Sequence, residues 1–365
     1  MKARTALVVL AAILSSVACG GSGVPAAAPT RPVAAKATSP AAKLALQWLR
    51  GRIRPQTHLA SSFEAAGAEG DLCVTYDQAV AVDAFLAGGD LASAREVLDG
   101  MKALQNVSGA WWTIYRCSTG GIAEHQETVG QTIWMALAVA KYEELTGDTA
   151  TYHAMGKAAV DWAYAFQGPD GGVNGGLIWD QPAPWAGTEF NEDVYAASRY
   201  FGGHDAEAKR VRDFIDNVAW DGDHFTAGRG DKRDPLDVNA WAVSSLGPNA
   251  GPRAYDKTLD YNLAHHRVTI DGIDAFDFNS DKNDIWFEGT GEMILSLKEV
   301  GRRDEAEHFL KEVIKAQRPN GGVPYSLRGT FNDYWQMTAA PCISSTGWLV
   351  IAEAEENPFR FQGAR

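Results

Sequence analysis

"QRPNGGVPYS", Gln317–Ser326, has a close copy in "QGPDGGVNGG", Gln167–Gly176, and a fainter one in "QNVSGAWWTI", which begins at Gln105. The copies start 62 and then 150 residues apart. Spacing of that size points to a repeated supersecondary unit, so repetition is the first hypothesis to test on the rest of the chain.

Working outward from the phrase, apolar residues recur with helical period in twelve segments, from "AAKLALQWLRGRI" at Ala41 to "CISSTGWLVIAEAEE" at Cys342. The connections alternate in length. One kind is a tight turn: "GGD" at Gly88, "GD" at Gly147, "GGHD" at Gly202 and "GRRD" at Gly301. Glycine supplies the left-handed stop and aspartate the next N-cap, with Asp304 and Glu307 spaced as a capping box. The other kind runs to about twenty residues, a length that usually carries function, and the repeated phrase opens three of these loops.

Helices that follow long loops are apolar all round ("AVAVDAFLA", "IWMALAVA"). Those that follow tight turns are striped and charged ("AREVLDGMKAL", "EAEHFLKEVIKA"). The first kind is buried and the second lies outside. Six inner helices ringed by six outer ones make an all-α (α/α)6 barrel over residues 41–360. With that alternation in place, the chain resembles the six-hairpin glycosidase-like toroids. The repeated phrase then marks where an outer helix ends and the chain crosses to the next inner one.

Residues 1–19, "MKARTALVVLAAILSSVAC", have a basic start, an apolar run and small residues before a cysteine, the pattern of an export signal. "SVAC" resembles a bacterial lipobox, which implies lipidation of Cys19 and a protein anchored to a membrane on the exported side. Residues 20–40 are rich in Gly, Ala and Pro and read as a flexible linker. The net charge of −13 argues against nucleic acid and against an anionic membrane surface, so contact with membrane is expected only through the anchor. An oxidising compartment allows a Cys73–Cys117 disulfide, with Cys342 left free. The expected state is a monomer.

All long loops fall at the N-termini of the inner helices, and that face gathers carboxylates and tryptophans. Acids in a helix's first turn are favoured by its dipole alone. Five of six inner helices, however, bring acids to one end of one barrel, which would raise some of their pKa values. Cleaving a glycosidic bond needs such a pair, one carboxyl protonated and one ionised. Glu189 is the expected general acid and Asp77 the base, and the resemblance implies inversion with water. Asp193, one turn beyond Glu189, tunes or replaces it, with Glu127 and Glu288 in reserve. The expected carbohydrate contacts are Trp111, Trp112, Trp179, Trp185, Trp286 and Trp335, whose rings suit sugar faces, with Tyr76, His125 and Asn191 beside them. His125 keeps a sugar epimerase open as the alternative, and a glycan-binding protein without catalysis is another. "DFNSDKNDIWFE", Asp277–Glu288, imitates a calcium loop, but Lys282 stands where the sharp turn requires glycine, so a polar loop without metal is expected. Nothing calls for a cofactor.

Overall fold

The computed structural model describes residues 32–248 and 254–362. Among the described residues twelve α-helices follow one another: α1 Pro40–Arg50, α2 Thr75–Ala87, α3 Leu91–Leu104, α4 Val129–Thr146, α5 His153–Tyr164 and α6 Thr188–Phe201. Then come α7 Asp205–Phe214, α8 Leu236–Trp241, α9 Asp256–His265, α10 Phe287–Glu299, α11 Arg303–Ala316 and α12 Ile343–Ala354. α7 and α8 are prolonged by π-helical turns, Ile215–Ala219 and Ala242–Leu246.

The even-numbered helices close a ring, each packing on the next and α12 returning to α2. The odd-numbered ones pack outside, α1 against α12. Sequence and burial agree on the layers: α2 and α4 are buried nearly all round, whereas α3 and α11 bury one stripe. This is an (α/α)6 barrel. Short strands decorate the long-loop face, among them the sheet Gln126–Thr128, Gly176–Ile178 and Gln181–Pro182.

The repeated phrase performs one task three times. Gln105, Gln167 and Gln317 each donate through Nε2 to a carbonyl four residues on, at Gly109, Gly171 and Gly321. Each also donates to a carbonyl of the next outer helix: Met155, Glu207 and Ala41. The three glycines have φ of +100°, +96° and +103°, and a Cβ there would meet the carbonyl oxygens of Ala158, Arg210 and Leu44 at 2.5, 2.3 and 2.2 Å. The phrase bolts one outer helix to its neighbour, and only glycine fits the bolt.

Two local expectations change. Asp90 caps α3 through Ser93 N–H, but α11 begins at Arg303, which puts Asp304 inside the first turn with no side-chain cap and no capping box. Dipole pairing suffices there. Residues 32–39, inside the stretch expected to be flexible, are tied down. The N–H groups of Lys36 and Ala37 donate to Ala87 O, and Ser39 bonds Glu353 while capping α1. Cys19 and residues 20–31 lie outside the described residues. Cys73 and Cys117 are disulfide-bonded, and Cys342 is a free buried thiol. No described helix is long and apolar enough to cross a membrane.

Candidate active site

Helix register builds the site. The second residue of each inner helix in turn is Tyr76, Gly130, Glu189, Asp237, Glu288 and Ser344. Asp77 follows Tyr76. Side chains at the same position of six packed helices face one centre, and four of these helices bring a carboxyl there. One turn further in lie Glu192, Asp193 and Glu292, all fully buried. Neither oxygen of any of these three has a hydrogen-bond partner among the described residues.

The acids hold one another's protons. Burial, then Asp237 and Glu288, push Glu189 well above the ordinary carboxylate range. Burial, then Glu189 and Asp237, do the same to Asp193, and the Trp134 indole facing it falls short of hydrogen-bond geometry. Burial, then Glu288 and Asp237, raise Glu292, while burial and Asp193 raise Glu192. Asp77 is pushed up to about 7 by burial, against hydrogen bonds from Ser62 and the Ser344 backbone. Asp237 is also raised to about 7 by burial. Burial takes Glu288 to about 8, with the Tyr76 hydroxyl pulling down and Asp77 pushing up. The only cation among the leading partners of these seven acids is Arg212, beside Glu192. A group of carboxyls this dry and this uncompensated must be partly protonated near neutrality.

A cavity of about 470 Å³ opens over Glu189 and Asp237. Trp185, Phe190, Phe278, Tyr334 and Trp335 wall it, with Arg229 and Arg233 at its lip. Both arginines are already engaged, with Asp170 and Asp231. Trp335 donates to Tyr325 OH at 2.9 Å, and Tyr325 is raised by burial and by Glu288, linking the wall to the far side of the acid ring.

The structure sorts the expected residues. Glu189, Asp77, Asp193, Glu288 and Tyr76 come together, whereas Glu127 does not join them. It lies in the strand before α4 and accepts from Asn106 and from Ser108 Oγ, holding the first copy of the repeated phrase. Trp111 is fully buried and donates to Met101 O at 2.8 Å, so it is core rather than platform. Trp286 is buried beneath Phe278. Asn191 is fully buried and clamps Val173 through N–H and C=O at 2.7 and 3.0 Å, a bolt for the second copy. Trp185 and Trp335 face the cavity, and Trp179 stands 64 % exposed at a hairpin tip. His125 lies edge-on to Trp112 and bonds Asp180 on the rim, outside the acid ring. In the calcium-like loop, Asp277 accepts from the N–H groups of Phe278 and Asp284, and Lys282 reaches Ala264 O.

Asp237 is a site residue that the sequence reading does not single out. Its signal was present: "PLDVN" places it at the same helix position as Glu189 in "GTEFN" and Glu288 in "WFEGT". Tyr325 and Tyr334 carry no comparable pattern.

Among solved structures the chain is similar to a glycosidase, at TM-score 0.70 and 14% identity, covering 86% of this chain and 95% of that one. It is also similar to a D-mannose isomerase (0.66, 10%, 86% and 95%). A third is a bacterial glucoamylase complexed with acarbose (0.68, 14%), where 91% of this chain covers 57% of that one. The shared fold is an (α/α)6 toroid. At these identities a six-hairpin toroid is what the likeness establishes, and it hosts both hydrolysis and isomerisation. Neither a protein-family model nor a curated protein sequence matches the chain.

Proposed function

We propose that the chain is a glycoside hydrolase acting on a polysaccharide or oligosaccharide by paired-carboxylate acid/base catalysis with inversion. One observation carries this reading: carboxyls from four inner helices meet beside an aromatic-walled cavity with almost no opposing cation. Glu189, half-buried at the cavity floor and held protonated, is the general acid that protonates the leaving oxygen. Asp77, which titrates near 7, is the base that activates water. Around the ring Asp237, Glu288 and Ser344 stand between the two on the long side, and Gly130 alone on the short side. Asp237 takes the part first given to Asp193, since it leads the charges that raise Glu189 and lines the same cavity. Trp185 and Trp335 stack the sugar within the cavity, and Trp112, Trp179 and His125 extend the surface at the rim.

The epimerase alternative loses support from His125. An imidazole bound to Asp180 on the rim, away from the acids, is poorly placed to move a proton at a sugar carbon. The test is release of reducing ends from a panel of laminarin, xylan, carboxymethylcellulose, pullulan and chitosan, with the anomer of the first product read by NMR. Inverted product supports the proposal; an unchanged chain length with altered stereochemistry overturns it in favour of an epimerase.

We place the protein outside the cytoplasm, lipidated at Cys19, as a monomer. The Cys73–Cys117 disulfide supports an oxidising compartment. Cys19→Ser should then move the protein from membranes to a soluble exported form, and unchanged partitioning would count against lipidation at this residue.

A further inference from the structure

After α12, residues 355–362 cross the closed end of the barrel, opposite the acids. Asn357 Nδ2 donates to Ser244 O at 2.9 Å and to Glu299, and Arg360 Nη2 donates to Val243 O at 3.0 Å. Lys141 Nζ reaches back to Arg360 O at 2.8 Å. Between these pins Phe359 enters the barrel axis and is 1 % exposed.

Its ring centroid lies 5.3 Å from Trp134 and 5.4 Å from Trp241, which are 5.3 Å from each other. On the opposite side Trp134 meets Tyr76 edge-on at 4.9 Å and Trp348 at 6.0 Å. Trp348 Nε1–H donates to Tyr76 OH at 2.9 Å, and that hydroxyl faces Glu288, whose carboxyl it acts to lower. Neither the Trp134 nor the Trp241 indole N–H has a hydrogen-bond partner among the described residues. Packing is therefore the main restraint on these two rings, although the Trp134 indole faces Asp193, and a close-packed interior passes a displacement on rather than absorbing it.

We propose that Phe359 is a positioning residue: from the closed end of the barrel it fixes Trp134, and through Trp134 the Tyr76–Trp348–Glu288 cluster of the active site. The tail also bonds two carbonyls in the π-helical turn that continues α8, the helix that carries Asp237. Ring contact and hydrogen bonds thus reach the acid ring from below on two sides. The kinetic consequence rests on the hydrolase reading; the structural one does not.

The test uses the full chain with Phe359→Ala and Phe359→Leu, and Phe309→Ala as a control. Phe309 is 1 % exposed in α11 against Phe276, so its loss also opens a cavity but in the outer layer. Indole ¹H–¹⁵N spectra report the Trp348 hydrogen bond, with that signal assigned by Trp348→Phe. In Phe359→Ala the Trp348 indole should shift and exchange with solvent on the order of tenfold faster, while Phe309→Ala loses melting temperature without moving it. Phe359→Leu keeps apolar volume but not the ring contact; it should fold and show an intermediate shift, and it carries the test should the alanine variant not fold. On a glycan that the wild type cuts, Phe359→Ala should lower kcat by about ten- to a hundredfold with KM nearly constant. A Trp348 indole unchanged in both Phe359 variants would overturn the proposal and leave the tail a plug. A shifted indole in a protein that cuts no glycan would keep the positioning role and remove the hydrolase.

Discussion

Both ends of this barrel bury carboxyls, and they treat them in opposite ways. At the closed end, Lys141 is 2 % exposed and holds Glu144 at 2.7 Å and Glu356 at 3.4 Å, while Arg360 reaches Glu299 at 3.4 Å. Asp83 is the exception there: burial raises it to about 8 and neither oxygen has a hydrogen-bond partner among the described residues, although Lys141 acts to lower it. At the open end seven acids face one another with one cation at their edge. Compensated burial is architecture. Uncompensated burial costs stability and persists where chemistry repays it.

The largest effect should come from breaking the compensation. Lys141→Met strands the acids around it and should cost about 3–5 kcal/mol, read by denaturant unfolding, with catalysis intact in the protein that remains folded. A loss under 1 kcal/mol would mean that the closed end is no better paired than the open one.

The next concerns pH. Asp77, Asp237 and Glu288 titrate near 7, 7 and 8 in the fold and near 4 when unfolded, so the native state binds more protons across that interval. Their stabilising contribution is complete below the unfolded value and is lost as pH rises through 7 to 8. The melting temperature should therefore fall between pH 5 and 8, in the direction opposite to a protein held by paired acids. The double variant Asp193→Asn, Glu292→Gln removes two further acids that hold their protons more tightly in the fold and should flatten the slope; an unaltered slope would mean that those two acids do not take part.

A smaller effect separates Asp237 from its neighbours. If it holds Glu189 protonated, Asp237→Asn should move the alkaline limb of the pH–rate profile to lower pH, because Glu189 would then lose its proton earlier. The smallest change should follow Glu127→Gln. It loosens the loop around Asn106 and should leave the rate within about twofold, as a residue outside the site does.

The fold was legible because its signals are local and repeated. The phrase at Gln105, Gln167 and Gln317 codes its own hydrogen bonds, and the contrast between apolar and striped helices sorts inner from outer. The acid ring was half legible. Helix register placed Glu189, Asp77 and Glu288, and the same register would have placed Asp237. Single aromatic and polar residues were misread where burial decides. Trp111 and Trp112 are adjacent in an extended stretch, so one turns inward and the other outward, and neither composition nor spacing says which. Asn191 lies beside Glu189 in "TEFNED", yet it faces Val173. The tail was illegible for another reason: Phe359 meets Trp134 and Trp241, partners more than a hundred residues away that share no pattern with it.

The central claim is that the open end does chemistry because its acids are uncompensated, and one measurement meets it directly. Reducing-end release should be compared among wild type, Glu189→Gln and Asp77→Asn on whichever polysaccharide of the panel the wild type cuts. Each variant keeps side-chain shape and removes ionisation, so each should lose at least about a hundredfold in rate while its melting temperature at pH 8 is equal or higher. Full activity in both variants, or equal losses of stability and rate, would contradict the account.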